Sequence, residues 1–227
     1  MKQSGEGEVM QTNRDKYIPA LSYEWLTGFY DPVVRWTTRE ITFKRRLLEQ
    51  AKVQPTHEVL DLGCGTATLT VAIKRAVPQA TVRGLDGDAK ILAIARDKAR
   101  KAGVEIFLDM GLSYELPYTD AAFDRVVSSL FFHHLTKENK LRTLKEVWRV
   151  LQPGGELHIA DWGEPHNSLM RVASLPVRWL DGATTADSFK RLLPRYLQET
   201  GFVDASAREH YATLFGTLRL YQAIKPK

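Results

Sequence analysis

Val59-Leu60-Asp61-Leu62-Gly63-Cys64-Gly65-Thr66-Ala67 carries an apolar run straight into a glycine turn. With Glu58 in front, residues 58–62 read as a short strand buried on both faces. Gly63 and Gly65 permit a tight turn and let a ligand approach the backbone with no Cβ in the way. A helical stretch follows over residues 67–77, stopped by Pro78, and its first turn presents unpaired N–H groups. Strand, glycine turn and helix in this order belong to a parallel sheet, whose ligands sit beyond the carboxyl ends of the strands.

The same rhythm continues downstream. Residues 80–85 predict a second strand ending in Asp86-Gly87-Asp88, with Asp88 as N-cap of a helix over 89–102 that Gly103 closes. Residues 104–108 predict a third strand ending in Asp109, and residues 123–130 a fourth. A helix over 137–151 is closed by Gln152-Pro153-Gly154-Gly155, and residues 156–160 predict a fifth strand. Residues 162–185 read as a lid-like insertion rich in Trp, Pro and small residues. A helix over 188–200 ends at Gly201, and two runs, 203–210 and 213–224, predict an antiparallel hairpin at one edge. Upstream, a helix over 38–52 carries Ile41, Leu47, Leu48 and Ala51 on roughly one face. Before it, an aromatic stretch broken by Pro19, Gly28 and Pro32 reads as short helices and turns. Residues 1–16 predict a disordered tail, and 17–227 one α/β domain with residues 17–54 as an N-terminal helical cap.

The 227 residues are 44% hydrophobic and 26% charged, a globular composition with a net charge of +5. No stretch has the run of about 20 apolar residues that spans a bilayer, and the polar first 16 residues lack the apolar run of a secretory leader. The expected location is cytoplasmic. The one cysteine, Cys64, can form neither an internal disulfide nor a Cys-based zinc site. The Lys44-Arg45-Arg46 cluster is foremost a solvated helix face, with contact to an anionic lipid, as at a membrane periphery, or to RNA as the functional alternative.

Three acids, Asp61, Asp86 and Asp109, end successive strands and line one crevice. A carboxylate after the second strand suits the two hydroxyls of a ribose. A dinucleotide is disfavoured, because Gly63-Cys64-Gly65-Thr66-Ala67-Thr68 lacks the third glycine of G-x-G-x-x-G and Asp61 sets a negative charge near the phosphates. A cationic sulfonium with an ammonium group, as in S-adenosylmethionine, fits both facts. The D-x-G-C-G-T run, the Asp86 and Asp109 strand ends and the Leu151-Gln152-Pro153-Gly154-Gly155-Glu156-Leu157 turn together resemble class I S-adenosylmethionine-dependent methyltransferases. The overall pattern, over about residues 21–224, is similar to the ubiquinone/menaquinone-biosynthesis subgroup; Ala67 departs from it where many members carry a third glycine. The resemblance implies a Rossmann-like three-layer sandwich on a seven-stranded, mostly parallel sheet with an antiparallel last strand. It implies that Asp61, Gly63, Cys64 and Gly65 meet the methionine part of the cofactor and that Asp86 takes the ribose hydroxyls. Gly87 then lies beside the adenine, Asp109 and Met110 meet its edge and face, Ser128 or Ser129 lies near the methionyl group, and Tyr30 closes over the cofactor. S-adenosyl-L-homocysteine would be the product.

Methyl transfer from a sulfonium is an in-line displacement, in which alignment is the main task and a base serves only an acceptor that must lose a proton. His133 and His134, just past the fourth strand, are the candidate bases; His158 and His166 are placed less favourably, and His57 and His210 have no role. No metal site is expected, since adjacent histidines point apart and no carboxylate pattern accompanies them. Tyr23, Phe29, Trp162, Met170 and Trp179, with Trp25 and Leu175, offer an apolar lining for a small aromatic or lipid-like acceptor. Ser128-Ser129-Leu130-Phe131-Phe132 lacks the N/D-P-P-Y/F motif of base methylases, which demotes nucleic acid as a substrate. An RNA or protein methyltransferase, or a cofactor-binding protein without catalysis, is the alternative, and oligomeric state is not legible.

Overall fold

The computed structural model describes residues 40–175, 192–214 and 216–227. In chain order these form α1 (Glu40–Ala51), β1 (Glu58–Leu62), α2 (Thr68–Ala76), β2 (Thr81–Asp86), α3 (Ala89–Ala102), β3 (Phe107–Met110) and β4 (Phe123–Ser129). A 3₁₀ turn (Phe132–His134), α4 (Lys137–Val150), β5 (Leu151–Trp162), α5 (Ser168–Ala173), α6 (Leu192–Glu199), β6 (Val203–Thr213) and β7 (Gly216–Ile224) follow. The seven strands make one sheet in the order β3-β2-β1-β4-β5-β7-β6. Only β7 runs against its neighbours, as the resemblance implied. Strand order reverses between β1 and β4, so their carboxyl ends open a crevice at a topological switch point.

Side chains alternate across the sheet and separate two cores. Leu60, Leu62, Val126 and Ile159 pack under α4 and α6 with Leu144, Val147 and Leu197. Val59, Val82, Val127 and Ala160 pack on the opposite face with Phe43 and Leu47 of α1 and Leu69 and Ile73 of α2. By the same alternation Asp61, between Leu60 and Leu62, faces α1 and α2, where Thr70 meets it. Caps fix the helix starts. Asp88 Oδ1 accepts from the Lys90 and Ile91 N–H groups at 2.8 and 3.3 Å, and Gly103 closes α3 at φ +64°. Thr136 caps α4 by accepting from the Asn139 N–H.

β6 runs on to Thr213 and β7 starts only at Gly216, three residues later at each bound than expected, and β3 and β5 differ more consequentially. β3 lies at Phe107–Met110, two to three residues later than the apolar run suggested, because it pairs Arg83↔Phe107 and Leu85↔Asp109 with β2. Asp109 is therefore inside the strand and not at its end. β5 begins at Leu151 and absorbs the Gln152–Gly155 turn as an irregularity in its pairing with β4. Gly154 supplies φ +80° there, its N–H donates to the Lys225 carbonyl, and the Lys225 N–H donates to Gly155. Within the expected insertion, α5 is capped by Asn167, whose Oδ1 accepts from the Met170 N–H at 2.8 Å, and it packs on β7. The expected tail, the cap segment before residue 40, and residues 176–191 lie outside the described residues.

Candidate active site

The ends of β1, β2 and β3 and the loop after β4 enclose a cleft that Gly63, Asp86, Gly87, Leu112, Phe131 and His134 help to line. The sequence builds its floor from backbone. The N–H groups of Gly63 and Cys64 both donate to the Leu85 carbonyl, at 2.9 and 3.0 Å, which ties the glycine turn to β2. Gly63 sits at φ +69°, and a Cβ there would fall 2.3 Å from Cδ2 of Phe131. The glycine is thus required twice, for conformation and for the ring lying on it. Ala67, the departure from the glycine-rich pattern, adopts φ +60° all the same.

Asp86 is the carboxylate of the cleft. The Gly65 N–H donates to its Oδ2 and the Asp88 N–H to its Oδ1, each at 3.0 Å. Each oxygen keeps a lone pair for a further donor. Burial raises the Asp86 pKa, and the two N–H donors oppose the rise. Asp61 lies behind the turn, 1% exposed, and accepts from Thr70 Oγ1 at 2.6 Å. Burial pushes its pKa up to about 6, against the pull of the Thr70 hydroxyl and of Lys44. Cys64 is buried, and burial with the nearby Asp61 and Asp86 charges pushes its thiol far above the ordinary range, which keeps it protonated. Ser128 donates its hydroxyl to the Leu62 carbonyl at 2.8 Å and so ties β4 to β1; Ser129 stands opposite Ala160.

At the end of β3, Met110 pairs in register with Asp86, and Asp109 stands one residue before it. Asp109 Oδ2 accepts from the Tyr118 hydroxyl at 2.9 Å and lies 3.6 Å from the Arg83 guanidinium. Both residues line a groove with Tyr118 and Arg83, and Gly111 and Leu112, next in the chain, line the cleft.

After β4 the chain turns sharply at Leu130, φ +55°, and lays down the two histidines. His133 is buried against Asp161, the last but one residue of β5. Its N–H donates to Asp161 Oδ2 at 3.1 Å, and its Nδ1 lies 2.6 Å from Asp161 Oδ1. The Trp162 N–H also donates to Oδ1. Burial works to raise the Asp161 pKa, but the His133 charge and hydrogen bond, with the Trp162 N–H, outweigh it and hold the carboxyl below its usual range. An ionised Asp161 accepts the Nδ1 proton, which leaves Nε2 of His133 as the basic nitrogen. His134 lines the cleft with its ring 3.9 Å from that of His133. Burial, then the His133 charge, lowers its pKa to about 3, so it stays neutral. Asp161 went unnoticed in the sequence, although its signal was an acid at the carboxyl end of the fifth strand.

Trp162 is buried, with its ring edge towards His133 at 6.4 Å, and Met170 is buried on α5. Leu175 is exposed. Tyr23, Trp25, Phe29, Tyr30 and Trp179 lie outside the described residues. The other histidines stand apart. His158 is fully buried between Gln50, 3.0 Å from its Nδ1, and Glu156, 3.2 Å from its Nε2. His166 meets Thr217 and the His210 ring, and His57 meets the Gln54 N–H. Among the described residues no three His, Cys, Asp or Glu side chains are grouped to hold a metal.

Residues 59–155 match a family described as a methyltransferase domain. Over 162 residues the chain is 31% identical to the demethylmenaquinone methyltransferase of Lactobacillus johnsonii, covering 70% of this chain and 61% of that protein. Against the enzyme of the same name from Bacillus cytotoxicus the identity is 32% over 160 residues, covering 69% and 66%. The chain thus spans about three fifths of the curated relatives' length. Among solved structures, a Haloferax volcanii methyltransferase in complex with the Trm112 activator superposes with a TM-score of 0.69 at 20% identity, over 89% of this chain and 96% of that one, a likeness of fold. The domain match places a class I S-adenosylmethionine-dependent methyltransferase domain on residues 59–155, around the switch-point cleft.

S-adenosylmethionine is the cofactor of that family, and the residues fit it. Gly65 has open space where a Cβ would stand. Asp86 offers lone pairs suited to vicinal hydroxyls, and Leu85 and Leu112 give apolar walls.

Proposed function

We propose that this protein moves a methyl group from S-adenosylmethionine to a lipid-like aromatic acceptor of the quinol type, with His133 as the base. The observation that carries this reading is the buried His133–Asp161 pair, whose His133 ring lies against His134 in the wall of the cleft that holds Asp86. The names of the curated relatives support a quinone-like acceptor. Asp86 receives the ribose hydroxyls, Gly87 lies at the base, and Gly63, Cys64 and Gly65 carry the methionine part past the turn. Asp61 supplies a buried negative charge for the ammonium group, and Ser128 and Ser129 brace the strand end beneath it. When bound, the cofactor supplies an electrophilic methyl on sulfur. The protein's part is to hold the acceptor hydroxyl or ring carbon in line and to exclude water. His133 Nε2 takes the acceptor's proton, and the resulting imidazolium is stabilised by Asp161 through Nδ1. Trp162 and Met170, both buried, are the described residues that this reading assigns to the apolar wall for the acceptor ring.

Turnover with S-adenosylmethionine and a short-chain demethylmenaquinol, followed by S-adenosylhomocysteine release, tests this. His133→Ala should lower kcat by about 10²-fold or more while the Kd for S-adenosylhomocysteine stays within about twofold. An unchanged kcat would leave positioning as the sole source of rate and remove the base.

A further inference from the structure

The 3₁₀ turn after β4 sets two imidazoles side by side and gives them different surroundings. His133 is 4% exposed and tied through Nδ1 to Asp161 at 2.6 Å. His134 is the one that lines the cleft, together with Gly63, Phe131 and Leu135. Its backbone N–H donates to the Phe131 carbonyl at 3.1 Å. Its ring nitrogens bond no described residue, and neither is closed off from accessible space. The ring lies 3.9 Å from that of His133, tilted by 43°, so a molecule that fills the cleft here meets His134 within one ring's width of the base. Asn139 and Tyr114 also bring polar groups to the cleft. They do so from α4 and from the loop after β3, where the Arg142 guanidinium covers the Tyr114 ring at 4.5 Å.

Burial, then the His133 charge, holds His134 neutral. It does not compete with His133 for a proton, and it keeps one N–H donor. An acceptor hydroxyl that gives its proton to His133 gathers negative charge on oxygen. A fixed donor aimed at that oxygen acts most strongly where water is excluded. We propose that His134 is a second catalytic group, whose ring N–H hydrogen-bonds the acceptor oxygen as that oxygen is deprotonated, and that it selects acceptors carrying a hydroxyl at the reacting position or conjugated with it. The O–H bond breaks, the proton passes to His133 Nε2, the electron pair stays on the acceptor, and His134 keeps its own proton. The proposal rests on the acceptor reading above and deepens it.

Turnover of a short-chain demethylmenaquinol by the full chain tests it, in wild type, His134→Phe, His134→Asn and His134→Gln. Phenylalanine keeps a ring in the wall and offers no donor. The carboxamides restore an N–H, asparagine near the place of Nδ1 and glutamine near that of Nε2. His134→Phe should lose about 10²-fold in kcat, while KM, the Kd for S-adenosylhomocysteine and the pH profile of kcat stay as in wild type. One of the carboxamides should regain about tenfold of that loss. His134→Leu, smaller and equally without a donor, repeats the test in a second shape. A wild-type kcat in both His134→Phe and His134→Leu overturns the proposal. So do two carboxamides no faster than His134→Phe, the mark of a packing role, and so does a lost pH profile in His134→Phe, which would make His134 itself the base. If wild type binds S-adenosylhomocysteine and leaves the quinol unmethylated, the acceptor reading fails and takes this proposal with it, a result seen before any substitution is made.

Discussion

At Gly63 two demands meet on one Cα. A side chain would have to tolerate φ +69°, at about 1–2 kcal/mol for an L-residue, and would drive into the Phe131 ring from 2.3 Å. Gly63→Ala should therefore lower the unfolding temperature and weaken S-adenosylhomocysteine binding at least tenfold, measured by thermal unfolding and calorimetry. Gly65→Ala meets no atom within 4 Å and bears only the cost of φ +54°; it should be the milder change. Asp61 gives a pH dependence with a definite sign. Its pKa of about 6 means that acid below pH 6 neutralises it. A ligand with an ammonium group favours the ionised form, so S-adenosylmethionine affinity should fall by up to about tenfold from pH 7 to pH 5. The affinity of 5′-methylthioadenosine, which has no ammonium group, should stay flat, and Asp61→Asn should remove the slope. For stability the sign is reversed. A carboxyl raised in the folded state stabilises the fold below its unfolded pKa near 4, and that contribution is lost as pH climbs through 6. His134, lowered to about 3, acts in the opposite sense: its share is present above pH 6.5 and is lost on acidification towards 3.

At the scale of elements, β1 is the strand on which both cores rest. Leu60 is fully buried under α4, and Leu60→Ala should cost about 2–5 kcal/mol in chemical denaturation. The elements were legible where local chemistry decides them. β1 has the bounds read from its apolar run, and α3 lies between the cap and the glycine that the sequence displays. They were illegible where a partner decides. Val104 to Ile106 is as apolar as a strand needs, yet β3 starts at Phe107 because β2 sets the register. That shift sets Asp109 inside β3, opposite Leu85. The His133–Asp161 pair joins residues 28 apart in the chain, and no spacing rule links the end of β5 to a 3₁₀ turn after β4. Asp161→Asn should test that link. It should depress kcat and shift its pH profile while leaving the Kd of S-adenosylhomocysteine within about twofold; a change in Kd alone would mark a purely structural role.

Over the whole molecule, the order of the sheet sets the cleft where β1 and β4 part, and the antiparallel β7 covers the far edge of β5. A ligand bound there holds together strand ends from four separate stretches of chain. S-adenosylhomocysteine at 100 times its Kd should add about 2.7 kcal/mol to global stability, and NAD at the same concentration nothing, as differential scanning calorimetry would read. Among the described residues no helix is long and apolar enough to cross a membrane. The single thiol of the chain is closed off between the glycine turn and β2, its Sγ 2.9 Å from where a Gly84 Cβ would stand. A label can attach to it only when the turn parts from that strand. Cys64 is thus a built-in clock for the opening of the cleft: its rate of alkylation under native conditions counts how often the floor lifts, and occupancy of the cleft should slow that count.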